Sequence, residues 1–114
     1  MKKPQKLLRD IFGFDEFRLG QREIIDAVSS KKNVLAIMPT GGGKSLCFQL
    51  PALMSEGLTV VISPLIALMR DQVRGLQAAG VAAGALTSGN TEDETDAVFS
   101  EIYAGKLKIL SVAP

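Results

Sequence analysis

Eight consecutive residues, Met38-Pro39-Thr40-Gly41-Gly42-Gly43-Lys44-Ser45, carry the densest chemistry in this 114-residue chain. Three glycines in a row remove Cβ obstruction, so successive backbone N–H groups can turn toward one point. A helix starting just after them adds the partial positive charge of its N-terminus, and together these make a nest for an anion. Lys44 is placed to reach the β and γ phosphates of a nucleotide, and the Ser45 hydroxyl to give one oxygen to a bridging Mg²⁺. The strict phosphate-loop pattern asks for Gly where Met38 stands, so the match is one residue short. The plain alternative is a glycine-rich turn before a helix that happens to begin Lys-Ser. The all-apolar run before the loop and the helical pattern after it favour the phosphate reading. Cys47, one turn into that helix, reads as a small buried hydrophobe rather than a nucleophile.

Such a loop needs a strand behind it and a helix ahead. Short apolar runs at 34–38, 59–62, 82–86 and 109–112 start about 25 residues apart, the tempo of strands alternating with crossover helices. The chain is therefore expected to be α/β with a parallel sheet, its helices covering 44–54, 65–79 and 91–104. Upstream, Pro4 suits a first helical turn, Leu7, Leu8, Ile11 and Phe12 recur at helical spacing, and Gly13 is placed to end that helix. Gln21, Ile24, Ile25 and Val28 share a face of a second helix, and residues 14–20 between the two read as a loop. This divides the chain into residues 1–32, two helices and a loop, and residues 33–114, the sheet core that carries the phosphate loop.

Net charge is +1, yet residues 1–44 hold nine basic against five acidic side chains and residues 45–114 hold four against seven. An anionic ligand is thus expected on the N-terminal part. One cysteine excludes an intrachain disulfide and fits a reducing cytoplasmic compartment. The absence of histidine argues against a His-based triad or a zinc site. No apolar run nears the roughly 20 residues that span a bilayer, so no membrane partner is expected.

Three segments carry a family resemblance: Phe12-Gly13-Phe14-Asp15-Glu16-Phe17-Arg18-Leu19-Gly20-Gln21, residues 38–53 (MPTGGGKSLCFQLPAL) and residues 61–73 (VISPLIALMRDQV). In order and spacing they resemble the opening motifs of the RecQ family of superfamily-two DNA helicases, over almost the whole chain. Met before Pro-Thr-Gly-Gly-Gly-Lys-Ser is usual there, which removes the objection at position 38. The resemblance implies a RecA-like P-loop fold, incomplete at its C-terminal side, with ATP and Mg²⁺ as cofactors. It implies ATP-driven 3′ to 5′ unwinding in DNA recombination and repair, single-stranded and forked DNA as partners, and a cytoplasmic, nucleoid-associated location. It also implies that Phe14 stacks on adenine, Gln21 hydrogen-bonds the base edge with Arg18 assisting, and Met38 to Ser45 hold the phosphates. An amide suits adenine because it donates and accepts at once. Phe14 stands where tyrosine is frequent, and Leu19 where proline is. On the residues alone, plugging a core under a surface loop is the favoured reading of Phe14 and Phe17, and it is the resemblance that turns the segment toward adenine.

Ser63-Pro64-Leu65 has its own logic, with Ser63 a plausible N-cap and Pro64 suited to the first helical position. The resemblance implies that this corner touches a single-stranded DNA backbone. Leu65, Leu68, Met69, Val73 and Leu76 form the expected buried stripe behind it, with Arg70 and Arg74 one turn apart on a polar face. Those arginines suit DNA contact and a solvated face equally well. Leu86-Thr87-Ser88 matches a third family position, where Asn is commoner than Thr, and so names Thr87 and Ser88 as DNA contacts. The acidic run Glu92, Asp93, Glu94 and Asp96 reads as the first turn of a helix capped by Thr91, not as a metal site.

ATP hydrolysis of this kind needs an acidic pair near Mg²⁺ and an arginine at the γ-phosphate. No apolar strand here ends in Asp-Glu, and the family pattern implies an Asp-Glu-x-His strand and further helicase domains beyond Pro114. The isolated chain is accordingly expected to bind nucleotide weakly at best and to hydrolyse almost none. Two alternatives stay open: a non-enzymatic nucleotide- or DNA-binding module, and an RNA helicase of the DEAD-box type. The latter usually has Thr after the loop Lys and Pro-Thr-Arg-Glu-Leu where this chain has Ser63-Pro64-Leu65-Ile66-Ala67.

Overall fold

A computed structural model describes residues 3–37 and 44–113. Among them, helices α1 (Pro4–Asp10), α2 (Gln21–Ser29) and α3 (Leu46–Met54) precede β1 (Thr59–Ile62), α4 (Ile66–Ala78), β2 (Ala83–Leu86), α5 (Glu92–Tyr103) and β3 (Ile109–Val112). The chain divides into two units, residues 1–56 and 57–114.

In the first unit the helices are short and hold one another. Pro4 opens α1 as expected, and Gly13 turns the chain beyond its end at a left-handed φ of 75°, a conformation that costs glycine little. Leu7 and Leu8 of α1, Ile25 of α2, and Leu46 and Leu50 of α3 form one buried cluster, with Ile11, Phe12, Phe17, Leu53 and Met54 packed against it. Val28, expected on the buried face of α2, lies in its last turn and is exposed, while Gln21 and Ile25 are the residues that α2 buries.

The expected strand at 34–38 is not formed over its described part. Residues 33–37 have no strand assignment, and Leu35 and Ile37 are each 91% exposed; Met38 lies outside the described residues. A parallel strand exists only through ladder bonds to a neighbour. All three described strands belong to the second unit, so the first offers 34–37 no partner.

The second unit is a βαβαβ run. Its sheet has the order β1-β3-β2 with both pairings parallel, the α/β arrangement that the spacing predicts. Met69, Val73 and Leu76 of α4 are buried, but Leu65 and Leu68 are about half exposed and leave the expected stripe. Leu65 is the N-cap rather than a helical residue, and Leu68 lies about 100° around the helix from Met69. On β2, an added Cβ at Gly84 would stand 3.3 Å from Val98 Cγ2, so the missing side chain lets α5 lie close on the strand. The outer edge of β2 is covered by two side-chain amides: Gln77 Nε2 donates to Ala83 O and Asn90 Nδ2 to Ala85 O, both at 2.8 Å. Blocking such an edge prevents strand addition by another chain.

Candidate functional site

The residues expected to meet a nucleotide fall in the first unit. Met38, Pro39, Thr40, Gly41, Gly42 and Gly43 lie outside the described residues. Lys44 is exposed, Ser45 is the N-cap of α3, and the helix itself begins at Leu46, two residues after the predicted start. Ser45 has helical backbone angles, and its side chain makes no capping bond. The carbonyls of Lys44 and Ser45 accept from Cys47 N and Gln49 N at 3.1 and 3.0 Å, closing the first turn of α3. Burial raises the Cys47 thiol above its ordinary pKa, which keeps it protonated and unreactive at neutral pH.

The loop between α1 and α2 separates its two aromatic rings. Phe17 packs against the buried cluster under the Arg22 guanidinium, 5.7 Å from the ring centroid. Phe14 is 53% exposed, with its ring open to a stacking partner, while its N–H is tied to Leu8 O at 3.2 Å. Gln21 begins α2 and is buried; its Oε1 accepts from Arg18 N at 2.7 Å, and its own N–H donates to Arg18 O at 3.1 Å. These paired bonds fix Arg18 and Gln21 to one another. Gly20 supplies the turn into α2 at a φ of 85°. Helix α2, which starts at Gln21, and α3, which starts after Lys44-Ser45, then share the cluster built on Ile25, Leu46 and Leu50. Packing on one core sets the spacing between the two candidate corners.

The residues expected to meet DNA gather on the second unit. Parallel strands end on one edge, where open α/β sheets bind ligands. The register pairs Ile62 with Val112 and Val112 with Leu86, so Ser63, Ala113 and Thr87 follow the strand ends in a row. Ser63 N donates to Val112 O at 3.0 Å and Ala113 N to Leu86 O at 3.1 Å, carrying the ladder one residue further. Ser63 is not the N-cap of α4; Leu65 is, and Pro64 precedes the helix. Ser63 Oγ instead accepts from Leu65 N at 3.3 Å, a local turn of the kind serine makes in competition with capping. Pro64 and Leu65 are exposed beside it.

Arg70 and Arg74 do not share an environment. Arg74 is exposed, 3.9 Å from Asp71. Arg70 is half-buried and reaches the turn after β2, where its Nη2 donates to Thr87 Oγ1 at 3.3 Å. Ser88 is exposed at the tip of that turn. Asn90, which the sequence reading passed over, holds the turn to the sheet through its bond to Ala85 O and accepts from Thr87 Oγ1 at 3.2 Å. Its signal was present in Thr87-Ser88-Gly89-Asn90, four turn-forming residues in succession. The acidic run of α5 forms the expected capping box, Glu94 N to Thr91 Oγ1 and Thr91 N to Glu94 Oε1. Bonds from the Thr91 backbone and side chain, with a smaller contribution from the Arg70 charge, hold the Glu94 carboxyl below its ordinary pKa. Among the described residues no cluster of acidic, cysteine or histidine side chains could hold a metal, and no helix is long and apolar enough to cross a membrane.

Residues 18–114 match the family model described as DEAD/DEAH box helicase. The chain is 47% identical over 116 residues to a Haemophilus influenzae protein named ATP-dependent DNA helicase RecQ, covering 100% of this chain and 19% of that protein. It is 52% identical over 108 residues to a Pasteurella multocida protein of the same name, covering 95% of this chain and 17% of the relative. Against the ATP-dependent DNA helicase Q1 of Rattus norvegicus it is 44% identical over 114 residues, covering 98% and 18%. The chain thus spans about a fifth of the length of these curated relatives. With the family model matched from Arg18 onward, the chain belongs to the DEAD/DEAH box helicase family.

Proposed function

We propose that this chain is the nucleotide-binding and strand-contacting portion of the first motor domain of an ATP-dependent DNA helicase of the RecQ type, acting 3′ to 5′ in recombination and repair. Relatives over nearly the full chain carry the names of ATP-dependent DNA helicases. The observation that carries the reading is the common core of α2 and α3. Gln21 at the start of α2 and Lys44-Ser45 ahead of α3 belong to one packed unit of residues 1–56, which supports reading them as the base and phosphate corners of one site.

In this reading Phe14 offers its exposed ring to the base, and Gln21, fixed against Arg18, reads the base edge. Lys44 meets the phosphates as a compact cation beside the N-terminus of α3. The Ser45 hydroxyl, at the start of α3 beside Lys44, suits an oxygen ligand to Mg²⁺, which would neutralise charge between the β and γ phosphates. Single-stranded or forked DNA runs along the row of strand ends at Ser63 and Thr87, with Arg70 next to it. The location that goes with this role is cytoplasmic, with the nucleoid.

ATP affinity of the chain and of Lys44→Ala, each with and without single-stranded DNA, tests the proposal. Losing a charge-assisted phosphate contact costs about 1.5–3 kcal/mol, so Lys44→Ala is expected to weaken binding by roughly 10- to 150-fold. Equal affinity for the two proteins would sink it. Hydrolysis by the chain alone is expected to be negligible, since none of its apolar strands ends in Asp-Glu.

A further inference from the structure

The Thr87 hydroxyl has one proton to donate and two lone pairs with which to accept. All three are engaged within the protein. Its proton goes to Asn90 Oδ1 at 3.2 Å, and it accepts from Gly89 N at 3.1 Å and from Arg70 Nη2 at 3.3 Å. Asn90 is in turn anchored to the sheet by its amide on Ala85 O. A hydroxyl so occupied has no capacity left for a phosphate oxygen. Arg70, by contrast, has five N–H donors in a planar fork and gives one of them to Thr87.

Gly89 completes the arrangement. A Cβ built there would stand 2.8 Å from Arg70 Nη2, so a side chain at this position would push the guanidinium out of its present place against the turn. Three features therefore converge on one guanidinium: an accepting hydroxyl, a turn braced to the edge strand, and a missing side chain.

We infer that Thr87 is a positioning residue rather than a DNA contact, and that its saturated hydroxyl, braced by Asn90, holds Arg70 with its remaining donors directed to the phosphate backbone of a single strand. This deepens the proposed DNA-binding role and rests on it. Arg70 supplies the charge, Thr87 the direction, and Gly89 the room.

The test measures single-stranded DNA affinity of the chain as a function of salt for the wild type and for Arg70→Gln, Thr87→Val, Thr87→Ser, Gly89→Ala and the double variant Arg70→Gln/Thr87→Val. Each neutralised phosphate contributes a little under one to the slope of log affinity against log salt. Arg70→Gln is expected to lower that slope by about one. Thr87→Val, which removes no charge, is expected to lower it by the same amount, with Gly89→Ala close behind. Thr87→Ser is expected to restore the wild-type slope, and the double variant to be no worse than Arg70→Gln. A neutral hydroxyl touching DNA directly would weaken binding while leaving the slope unchanged, and that result overturns the inference. So does a double variant whose two losses add.

Side-chain NMR of the Arg70 guanidinium without DNA provides a separate readout, expected to show slowed motion in the wild type and in Thr87→Ser but not in Thr87→Val. Equal motion in wild type and Thr87→Val overturns the positioning role whatever the DNA result. If Arg70 loses its order in Thr87→Val but the wild type shows no salt-dependent DNA binding, the positioning role stands and the DNA-binding reading is what fails.

Discussion

Residues 3–56 set Gln21 and Ser45 apart by apolar packing among three short helices, whereas residues 57–113 set Arg70 beside Thr87 by hydrogen bonds at the end of a sheet. The two kinds of control fail differently. Apolar packing is non-directional and scales with buried surface, so damage anywhere in the cluster reaches every element that shares it. A hydrogen-bonded turn is directional, and its failure stays local but moves the group it aims. A candidate site of the first kind should respond to substitutions far from any ligand, and one of the second kind only to its own partners.

The sharpest way to break the contrast is Leu50→Ala. Leu50 is fully buried in the cluster shared by α1, α2 and α3, and such truncations cost about 2–5 kcal/mol depending on how far the cavity collapses. Denaturant unfolding of residues 1–114 is expected to show a loss in that range, and ATP affinity is expected to fall although Leu50 meets no nucleotide in the proposed arrangement. Unchanged ATP affinity in a clearly destabilised Leu50→Ala protein would mean that the core does not set the spacing of the two corners.

The converse substitution lies on the second unit. Gln77→Ala removes the amide that covers Ala83 O on the outer edge of β2. Net loss of one such bond is worth about 1 kcal/mol, and the exposed edge becomes a template for pairing with another chain. The expected result is a small loss of stability with concentration-dependent self-association in sedimentation and no change in ATP affinity. An ATP defect in Gln77→Ala would show that the two halves are not controlled separately.

The same contrast explains what could be read before the structure. Strands 59–62 and 109–112 were legible to the residue because short β-branched and apolar runs between polar segments favour extended backbone, although only 109–112 is largely buried while Val60 and Ile62 stay exposed. The capping box at Thr91 and Glu94 was legible because both partners lie within four residues of sequence. The strand expected at 34–38 shares that composition, yet residues 34–37 do not form one, since pairing depends on a neighbour that local sequence cannot supply. Ser63 misled as an N-cap because serine bonds equally well to a nearby N–H in a turn. Phe14 and Phe17, three residues apart, could not be sorted into exposed and packed rings by type alone; the helices on either side decide that. The contact between Arg70 and Thr87 spans 17 residues and depends on where β2 ends relative to α4, which no local pattern encodes.

The smallest effect expected is an electrostatic one at α5. Glu94 is fully exposed, and its carboxylate is stabilised mainly by the Thr91 backbone and side chain, so its folded pKa lies below the ordinary value of 4.5. A carboxyl with a depressed folded pKa binds protons more readily when unfolded, so stability rises with pH through the interval between the two values. The contribution is complete above about pH 4.5 and disappears as pH falls through the lower folded value. Glu94→Gln keeps an oxygen able to accept from Thr91 N but has no proton to bind, and glutamine also serves at this position of a capping box. Wild type is therefore expected to be slightly more stable than Glu94→Gln at pH 7, where the charge also favours the helix N-terminus, and to lose that advantage on acidification. Denaturation midpoints of both proteins from pH 7 to pH 3 check the sign. A gap that widens on acidification would show that the carboxylate is a burden to α5, and would place the control of that helix in packing rather than in its cap.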